Sequence, residues 1–290
     1  MPTRIQIAKP DIIRLFQESS KKVYRRSDLA KILSQNRQFW RLAQRTKVED
    51  FMQFLLNNSP LRRVELKSEN YNSLVRFLWG DVATYEVSLS LRSNAYLCHG
   101  TAVFLHGLND QIPKVIYVNG EQSLKPTTTS SLTQVRIDLA LSRPQRTSNY
   151  VFDYQGTRII LLSGKNTNRL EVATIQTPNG ESVDCTKIER TLIDITVRPT
   201  YSGGIFQVLE AYRAAKDRMS TNVLAATLKK LAYVYPYHQA VGFLLERAGY
   251  PSSSTNRFRD FGLNFDFYLV HGATKTRYDS TWRIHYPEGL

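Results

Sequence analysis

The segment Thr46–Asn58 carries apolar residues at the spacing of a single helix face. The apolar positions are Val48, Phe51, Met52, Leu55 and Leu56. Their repeat of i, i+3, i+4, i+7 and i+8 predicts an amphipathic helix with one buried side. Thr46 and Glu49 have the spacing of a capping box, which predicts where the helix begins. A helix of this kind must pack its apolar face against neighbouring elements.

Two further helical segments precede this helix, and a pair of strands follows it. Lys9–Ser19 has the pattern of a first helix, and Ser27 is a favourable N-cap for a second. Leu61–Leu66 and Ser73–Gly80 have the pattern of strands joined by a polar turn. Three helices followed by a basic hairpin are the element order of a winged helix-turn-helix, which we therefore predict.

The net charge of +14 is concentrated in the first quarter of the chain. Residues 1–80 contain 16 Lys and Arg against 7 Asp and Glu, a net charge of +9. Residues 81–290 contain 23 against 18, a net charge of +5. A positive excess on one small region is typical of proteins that bind a polyanion. A solubilising surface is the alternative, but balanced charges would serve that purpose as well, so the pattern favours double-stranded DNA as the partner.

The helix predicted at Thr46–Asn58 is the candidate reader, because the major groove admits one helix. Its acidic pair, Glu49 and Asp50, disfavours groove contact along the whole helix, so we expect contact through its N-terminal end. The hairpin would form a wing, and flanking cations would neutralise phosphates. The predicted contacts are Arg45, Lys47 and Gln53 at the reading helix, Arg62, Arg63 and Lys67 in the wing, and Arg25, Arg26, Arg37 and Arg41 at the DNA backbone.

The rest of the chain mixes strand and helix patterns, so we predict an α+β protein. A winged-helix domain is expected at residues 1–85 and a mixed α/β domain at residues 86–290. Asp81–Leu91 is predicted to be a link that contains an alternating strand, VATYEVSL, whereas Ser93–Asp110 is rich in small and apolar residues and predicts a buried helix.

The most locally consistent stretch of the second domain is Thr186–Lys216, which predicts two helices joined by a tight break. Thr186 and Glu189 have capping-box spacing. Arg190, Asp194 and Arg198 recur every four residues and predict an exposed ladder of weak ion pairs. These features have a structural explanation and point to no chemistry of their own.

No arrangement of residues predicts catalysis, a bound metal or a cofactor. Cys98 and His99 are adjacent, and adjacent side chains on a helix point about 100° apart, so they cannot act as nucleophile and base. Neither a GxxxxGK[ST] nor a GxGxxG motif is present. Two cysteines make neither a disulfide framework nor a zinc site. Without a signal peptide or an apolar run of roughly 20 residues, we expect a cytoplasmic protein that does not contact membranes.

Several motifs of the second domain resemble one known family. IERTLID at Ile188–Asp194, followed by RPTYSGG at Arg198–Gly204, resembles the signature of the AbiEi family, the antitoxins of abortive-infection toxin–antitoxin systems. YLCHGTAVFLHGL at Tyr96–Leu108 and VGFLLERAGY at Val241–Tyr250 resemble helices of that family in the same order. The resemblance covers most of residues 90–250, and its motifs are structural rather than catalytic.

The resemblance implies an antitoxin and transcriptional autorepressor in phage defence. The N-terminal domain would bind inverted repeats in its own promoter. The C-terminal domain would counter a nucleotidyltransferase-like toxin encoded next to it, without a stable antitoxin–toxin complex. Two alternatives remain open: a nucleic-acid-acting defence enzyme, such as a nuclease, that the winged helix targets to DNA, and a DNA-binding regulator without a toxin partner.

Overall fold

The computed structural model of the chain describes residues 2–124 and 131–290. Within these ranges the chain forms twelve α-helices and three β-sheets, so the prediction of an α+β protein is confirmed. None of these helices combines the length and the apolar character that crossing a bilayer would require.

The described residues divide into two compact units that are not consecutive in sequence. The first unit runs up to Ser93 and also includes Tyr150–Ile159. The second unit comprises Asn94–Asn149 and Ile160–Leu290. Each unit buries its own apolar cluster. The domain boundary predicted after residue 85 stays a prediction.

The first unit has short helices and a three-stranded sheet in the order expected of a winged helix-turn-helix. Its elements are α1 (Arg4–Ile7), α2 (Lys9–Glu18), β1 (Val23–Tyr24), α3 (Arg26–Asn36), α4 (Val48–Asn58), β2 (Leu61–Leu66), β3 (Leu74–Trp79) and α5 (Thr84–Leu89). The strand order is β1–β3–β2 and both pairs are antiparallel. The arrangement of the helices and the small sheet is consistent with a winged helix-turn-helix.

Aromatic side chains hold the helices of the first unit on its sheet. Phe16 of α2 stacks on Trp79 of β3, with ring centroids 4.8 Å apart. Trp40, in the turn after α3, packs 5.7 Å from Phe51 of α4. All four rings are buried, and aromatic contacts at these separations add to the free energy gained by burial alone. The orientation of α4 is therefore set by the core of this unit.

The segment after β3 is helical, so the strand predicted within Asp81–Leu91 is wrong. The carbonyl of Ser90, the C-cap of α5, accepts hydrogen bonds from Arg25 Nη2 at 2.9 Å and Arg76 Nη2 at 3.0 Å. Cations at a helix C-terminus stabilise its unpaired carbonyls. Because Arg25 is 65 residues away in sequence, the local alternation could not indicate this helix.

From residue 94 onward, the chain contains further strands and helices. The elements are β4 (Tyr96–Leu97), α6 (His99–Leu105), β5 (Val115–Asn119), α7 (Gln134–Leu141), β6 (Val151–Tyr154), β7 (Thr157–Leu162), β8 (Val172–Gln176), β9 (Ser182–Thr186), α8 (Ile188–Val197), a 3-10 turn (Pro199–Ser202), α9 (Ile205–Ala214), α10 (Thr221–Leu231), α11 (Tyr237–Arg247), α12 (Ser252–Arg259), β10 (Phe267–Tyr268), β11 (Thr276–Asp279) and β12 (Ile284–Pro287). The strand β6 and the first residues of β7 belong to the first unit.

The main sheet of the second unit has the strand order β7–β5–β4–β9–β8. β4 pairs with β5 antiparallel and with β9 parallel, through Leu97 opposite Cys185. A smaller sheet has the order β10–β12–β11. The single buried helix predicted over Ser93–Asp110 is wrong in part, because Tyr96–Leu97 forms a central strand before α6 begins at His99.

The helix α8 lies in the core of the second unit, and its start differs from the prediction. Its N-cap is Lys187, and Thr186 is the last residue of β9. The Thr186 hydroxyl pairs with the Thr191 hydroxyl at 2.7 Å, and Glu189 accepts a hydrogen bond from the Ser220 N–H. The predicted capping box of Thr186 and Glu189 is therefore wrong, because both side chains have tertiary partners.

The predicted exposed ladder on α8 is also wrong. Arg190 and Asp194 are buried and share a hydrogen bond of 2.8 Å from Nε to Oδ1. Arg198 ends the helix and donates from Nη1 to the carbonyl of Arg146 instead. Gly203 and Gly204 adopt positive φ angles of 82° and 94° before α9, a conformation that favours glycine and makes the predicted break.

Candidate nucleic-acid interface

The N-terminal end of α4 presents two exposed cations, as the sequence predicts, but its cap differs by one residue. Lys47 is the N-cap, and its main-chain N–H donates to Asp50 Oδ2 at 3.0 Å. The predicted capping box of Thr46 and Glu49 is therefore wrong. Lys47 and Arg45 are both exposed at this end, where the helix dipole also favours an anion.

The other acidic residue of α4, Glu49, is paired with a predicted DNA contact. Arg26, at the start of α3, forms an ion pair with Glu49 in which both side chains are largely exposed. The hydrogen bond from Arg26 lowers the pKa of Glu49 below its usual value. With Asp50 capping its own helix, both carboxylates that disfavoured groove contact have local partners. Part of the hydrogen-bonding capacity of Arg26 is therefore used by Glu49.

Arg37 and Arg25 hold the first unit together. Arg37 Nη1 donates to the carbonyls of Ala43 and Gln44 at 2.6 and 3.1 Å, and its Nη2 donates to Thr46 at 3.0 Å. One guanidinium thereby fixes the turn between α3 and α4. Arg25 donates to the carbonyl of Ser90 at the end of α5. Phosphates would have to share these two side chains with internal carbonyls.

Two grooves border the turn between α3 and α4, and both include Arg4, which sequence reasoning missed. One groove, of about 700 Å³, is lined by Arg4, Trp40 and Arg41 among others. The other, of about 600 Å³, contains Arg4, Arg45 and Asp50. The only local signal for α1 was the spacing of Thr3 and Gln6, whose side-chain oxygen accepts from the Thr3 N–H at 2.7 Å.

The predicted wing cations lie on two faces of one strand. Arg62 and Arg63 are adjacent on β2, opposite Leu78 and Phe77 of β3, so their side chains point to opposite faces of the sheet. Arg62 lies 3.6 Å from Asp81 in an exposed pair. DNA that approaches one face of β2 would therefore contact either Arg62 or Arg63 more closely than the other.

The tip of the wing packs against the β6 segment within the same unit. Lys67 exchanges main-chain hydrogen bonds with Asp153, at 3.0 and 2.7 Å. Ser68 Oγ donates to the Val151 carbonyl at 2.7 Å. Tyr71 stacks on Tyr150 with ring centroids 4.3 Å apart. The main chain of Lys67 is therefore fixed, while its side chain stays exposed.

The ten predicted contacts thus fall into three groups. Arg25 and Arg37 have internal carbonyl partners, and Arg26, Arg62 and Gln53 have exposed partners, Gln53 through a 3.1 Å hydrogen bond to Asn57. The remaining five are exposed cations whose side chains make no hydrogen bond or ion pair within residues 2–124 and 131–290: Arg41, Arg45, Lys47, Arg63 and Lys67.

The geometry outside this surface indicates no metal centre in the part of the chain described. No three His, Cys, Asp or Glu side chains there come together as metal ligands would. Cys98 and Cys185 are free and buried, and burial raises the pKa of both thiols. A buried thiol with a raised pKa is a poor nucleophile.

The fold defines an α+β protein with a winged helix-turn-helix arrangement in its first unit. Its backbone is similar to the crystal structure of the RV2827C protein from Mycobacterium tuberculosis, with a TM-score of 0.56 and 11% sequence identity. The match covers 97% of this chain and 91% of that one. At this identity the similarity concerns the fold alone. No family model and no curated protein matches the sequence.

Proposed function

We propose that this protein is a DNA-binding transcriptional repressor that acts as the antitoxin of a toxin–antitoxin operon. The observation that carries the DNA-binding part is the set of unpartnered cations at the winged helix-turn-helix. Arg41 and Arg45 lie in the turn before α4, Lys47 caps it, and Arg63 and Lys67 lie in the wing. Cations on both sides of a helix that fits the major groove can contact the two phosphate backbones that border the groove.

The geometry favours entry of α4 by its N-terminal end. Arg45 and Lys47 stand there beside the positive end of the helix dipole. Farther along the helix, the exposed polar side chains Gln53 and Asn57 bond to each other. An adenine edge is read by the donor and acceptor of one such amide. Gln53 and Asn57 would therefore have to break their mutual hydrogen bond before either side chain could read a base.

The direct test is fluorescence anisotropy with the DNA upstream of this gene, over a series of salt concentrations. We expect the Arg45→Gln/Lys47→Gln variant to bind more weakly and to reduce the slope of log K against log salt by about one for each phosphate that is no longer bound. The matched control is Lys229→Gln/Lys230→Gln, which removes the same charge from an exposed turn of α10. Equal weakening in both variants would show non-specific attraction and contradict the assignment.

A second variant tests the wing separately. Replacing Arg62, Arg63 and Lys67 together by alanine should weaken binding at physiological salt. Because Arg62 and Arg63 point to opposite faces, the single changes should have unequal effects. If the triple variant and the wild type bind alike at every salt concentration, the wing does not contact DNA.

The antitoxin part rests on the motifs at Ile188–Gly204 and their resemblance to AbiEi antitoxins. The proposed functional partner is a nucleotidyltransferase-like toxin encoded by the adjacent gene, acting without a stable complex in the cytoplasm. Growth of cells that express the neighbouring gene, with and without this protein, is the test. Rescue is expected with wild type and with the DNA-binding variant; if the neighbouring product is harmless, this protein is a regulator without a toxin.

The alternative of a DNA-targeted nuclease is tested independently. Incubation of the purified protein with plasmid and RNA in the presence of magnesium should leave both intact. Turnover that persists through purification and is abolished by replacement of a carboxylate would replace the repressor proposal with an enzymatic one.

A further inference from the structure

The second unit contains a cavity of about 680 Å³ that the DNA-binding proposal does not use. Cavities of roughly 300–1,000 Å³ are typical of small-molecule sites. Its walls come from the start of α6, the ends of β5 and β7, one face of α8 and the segment after α10. The charged and aromatic side chains that line it include His99, Lys165, Arg190, Asp194, Arg198 and Tyr233.

The charge in this cavity is positive. Arg190 and Asp194 neutralise each other through their 2.8 Å hydrogen bond, which leaves Lys165 and Arg198. Lys165 Nζ donates to the carbonyls of Leu231 and Ala232, and Arg198 Nη1 donates to the Arg146 carbonyl. Their partners are neutral carbonyls, so two units of positive charge remain to face a ligand.

The ion pair itself is firmly placed. Arg190 Nη1 donates to the Leu170 carbonyl at 3.0 Å in addition to its bond with Asp194. Burial disfavours the charged guanidinium, but the charge of Asp194, the hydrogen bond to it and the nearby Tyr96 and Tyr233 together outweigh burial and raise the pKa of Arg190 above its usual value. A buried ion pair is often no more stabilising than a well-packed apolar pair of the same volume. Its position in a cavity wall makes a binding role the better explanation.

His99 supplies an unpartnered polar group at the same wall. The residue is 91% buried, since its relative exposure is 9%. Nδ1 has no hydrogen-bond partner in the described part of the chain. The ring is held edge-on against Tyr201 at 5.4 Å, and the backbone adopts a φ of 50°. A buried polar atom without a partner costs free energy unless a ligand or water supplies one.

We propose that this cavity binds a small phosphate-bearing molecule of nucleotide or sugar-phosphate size. The surplus charge of Lys165 and Arg198 matches the charge of a phosphomonoester, about −1.5 to −2 at neutral pH. The volume exceeds what a phosphate group alone would fill, and Tyr233 adds an aromatic ring to the wall. His99 lines the same wall as the hydrogen-bonded Arg190–Asp194 pair.

Calorimetric titration of the full-length protein tests this proposal. The probes are inorganic phosphate, glucose 6-phosphate, the nucleoside monophosphates AMP and UMP, and the uncharged controls glucose and adenosine. We expect saturable one-site binding of at least one organic phosphate, weaker binding of inorganic phosphate, and none of the uncharged controls. Absence of saturable binding by every phosphate probe, or equal binding of the uncharged compounds, would overturn the proposal.

Variants locate the site and separate it from the DNA surface. Arg198→Gln and Lys165→Gln should each weaken binding about tenfold or more, the usual effect of removing one charge-assisted hydrogen bond. The matched controls Arg213→Gln and Lys230→Gln remove the same charges from exposed helix positions and should bind as wild type does.

Thermal unfolding of each variant shows whether its fold is intact, and the wild-type titration decides the question without any variant. The Arg45→Gln/Lys47→Gln variant should keep full phosphate binding while its DNA affinity falls. If that variant no longer binds the organic phosphate and Arg198→Gln still does, the phosphate binds at the DNA surface and the cavity assignment is wrong.

Discussion

Arg190 and Asp194 lie one turn apart on α8, joined by a 2.8 Å hydrogen bond with both side chains more than nine-tenths buried. Asp194→Asn keeps an acceptor for Nε but leaves the guanidinium without a counter-charge. Breaking a buried pair from one side costs about 3–5 kcal/mol of unfolding free energy. Urea unfolding of the phosphate-free protein, with hydrogen exchange at α8 to localise the change, measures it.

The matched comparison for this pair is Arg190→Met/Asp194→Leu. This double variant removes both charges and should be less destabilised than Asp194→Asn, because no uncompensated charge stays buried. A double variant as unstable as the sum of the two single variants would mean that Arg190 and Asp194 contribute independently, without an energetic coupling between them.

Arg37 is expected to act on DNA through the turn it holds. Arg37→Met keeps the aliphatic stem but removes the hydrogen bonds to Ala43, Gln44 and Thr46. Removal of charged hydrogen bonds should lower the unfolding free energy by about 2–3 kcal/mol and weaken DNA binding as well. Arg41→Gln is the control: it is exposed without a partner in the described chain, so its stability should change by less than about 0.5 kcal/mol while DNA affinity falls.

Glu49→Gln should raise DNA affinity, by about three- to tenfold at low salt, because it removes a negative charge from α4 and frees Arg26 to meet phosphate. Anisotropy titrations at two salt concentrations measure this effect. Arg26→Gln should have the opposite result. Unchanged affinity in both variants would place this end of α3 and α4 away from DNA.

His99 makes the second unit sensitive to acid. Burial lowers the pKa of His99 to about 4, from about 6.5 in the unfolded chain. Above pH 6.5 both states are neutral at this residue and stability is full. As the pH falls from 6.5 towards 4 the unfolded chain takes up the proton first, so about 3 kcal/mol of unfolding free energy is lost.

The measurement is the urea midpoint of the wild type and of His99→Asn across this pH window. Asparagine tolerates the positive φ of this position and does not titrate, so the variant should show a flatter dependence than wild type. Identical slopes in wild type and His99→Asn would rule out His99 as the titrating group.

Gly242 lies on α11 where Trp282 covers it completely. A Cβ at this position would lie 2.1 Å from the Trp282 ring carbon Cζ3, and the ring is fully buried. Gly242→Ala should therefore cost about 3 kcal/mol or more, at the upper end for overpacking. Adding Trp282→Phe should restore part of the stability in thermal unfolding, and absence of any rescue would assign the cost to another neighbour.

Local sequence patterns predicted the first unit better than the second. The helix predicted at Lys9–Ser19 ends one residue earlier, and Leu61–Leu66 matches β2 residue for residue. Both segments have a clear period and polar boundaries, so local information sufficed. The α5 helix was missed because the arginines that stabilise its end come from other parts of the chain.

The candidate sites show the same division between local and tertiary information. The sequence predicted Arg45 and Lys47 at the N-terminal end of the reading helix and Arg63 in the hairpin, and all three are exposed there. The carbonyl partners of Arg37, the burial of Arg190 and the cavity beside His99 depend on tertiary contacts that no spacing reveals. Charged residues that recur every four positions give the same sequence pattern on a buried helix as on an exposed one. Whether they are buried depends on how the rest of the core packs against the helix.

The strand β6 that holds the wing tip comes from a segment separated from the rest of the first unit by the 56 residues Asn94–Asn149. Lys67 and Asp153 are joined through the main chain and Tyr71 stacks on Tyr150. The proposed DNA-binding unit is therefore built from two separate segments of the chain, and a single recombination junction could not transfer all of it. Its transfer to another protein would require the partner strand to be transferred with it, together with the 56 residues that lie between them in sequence.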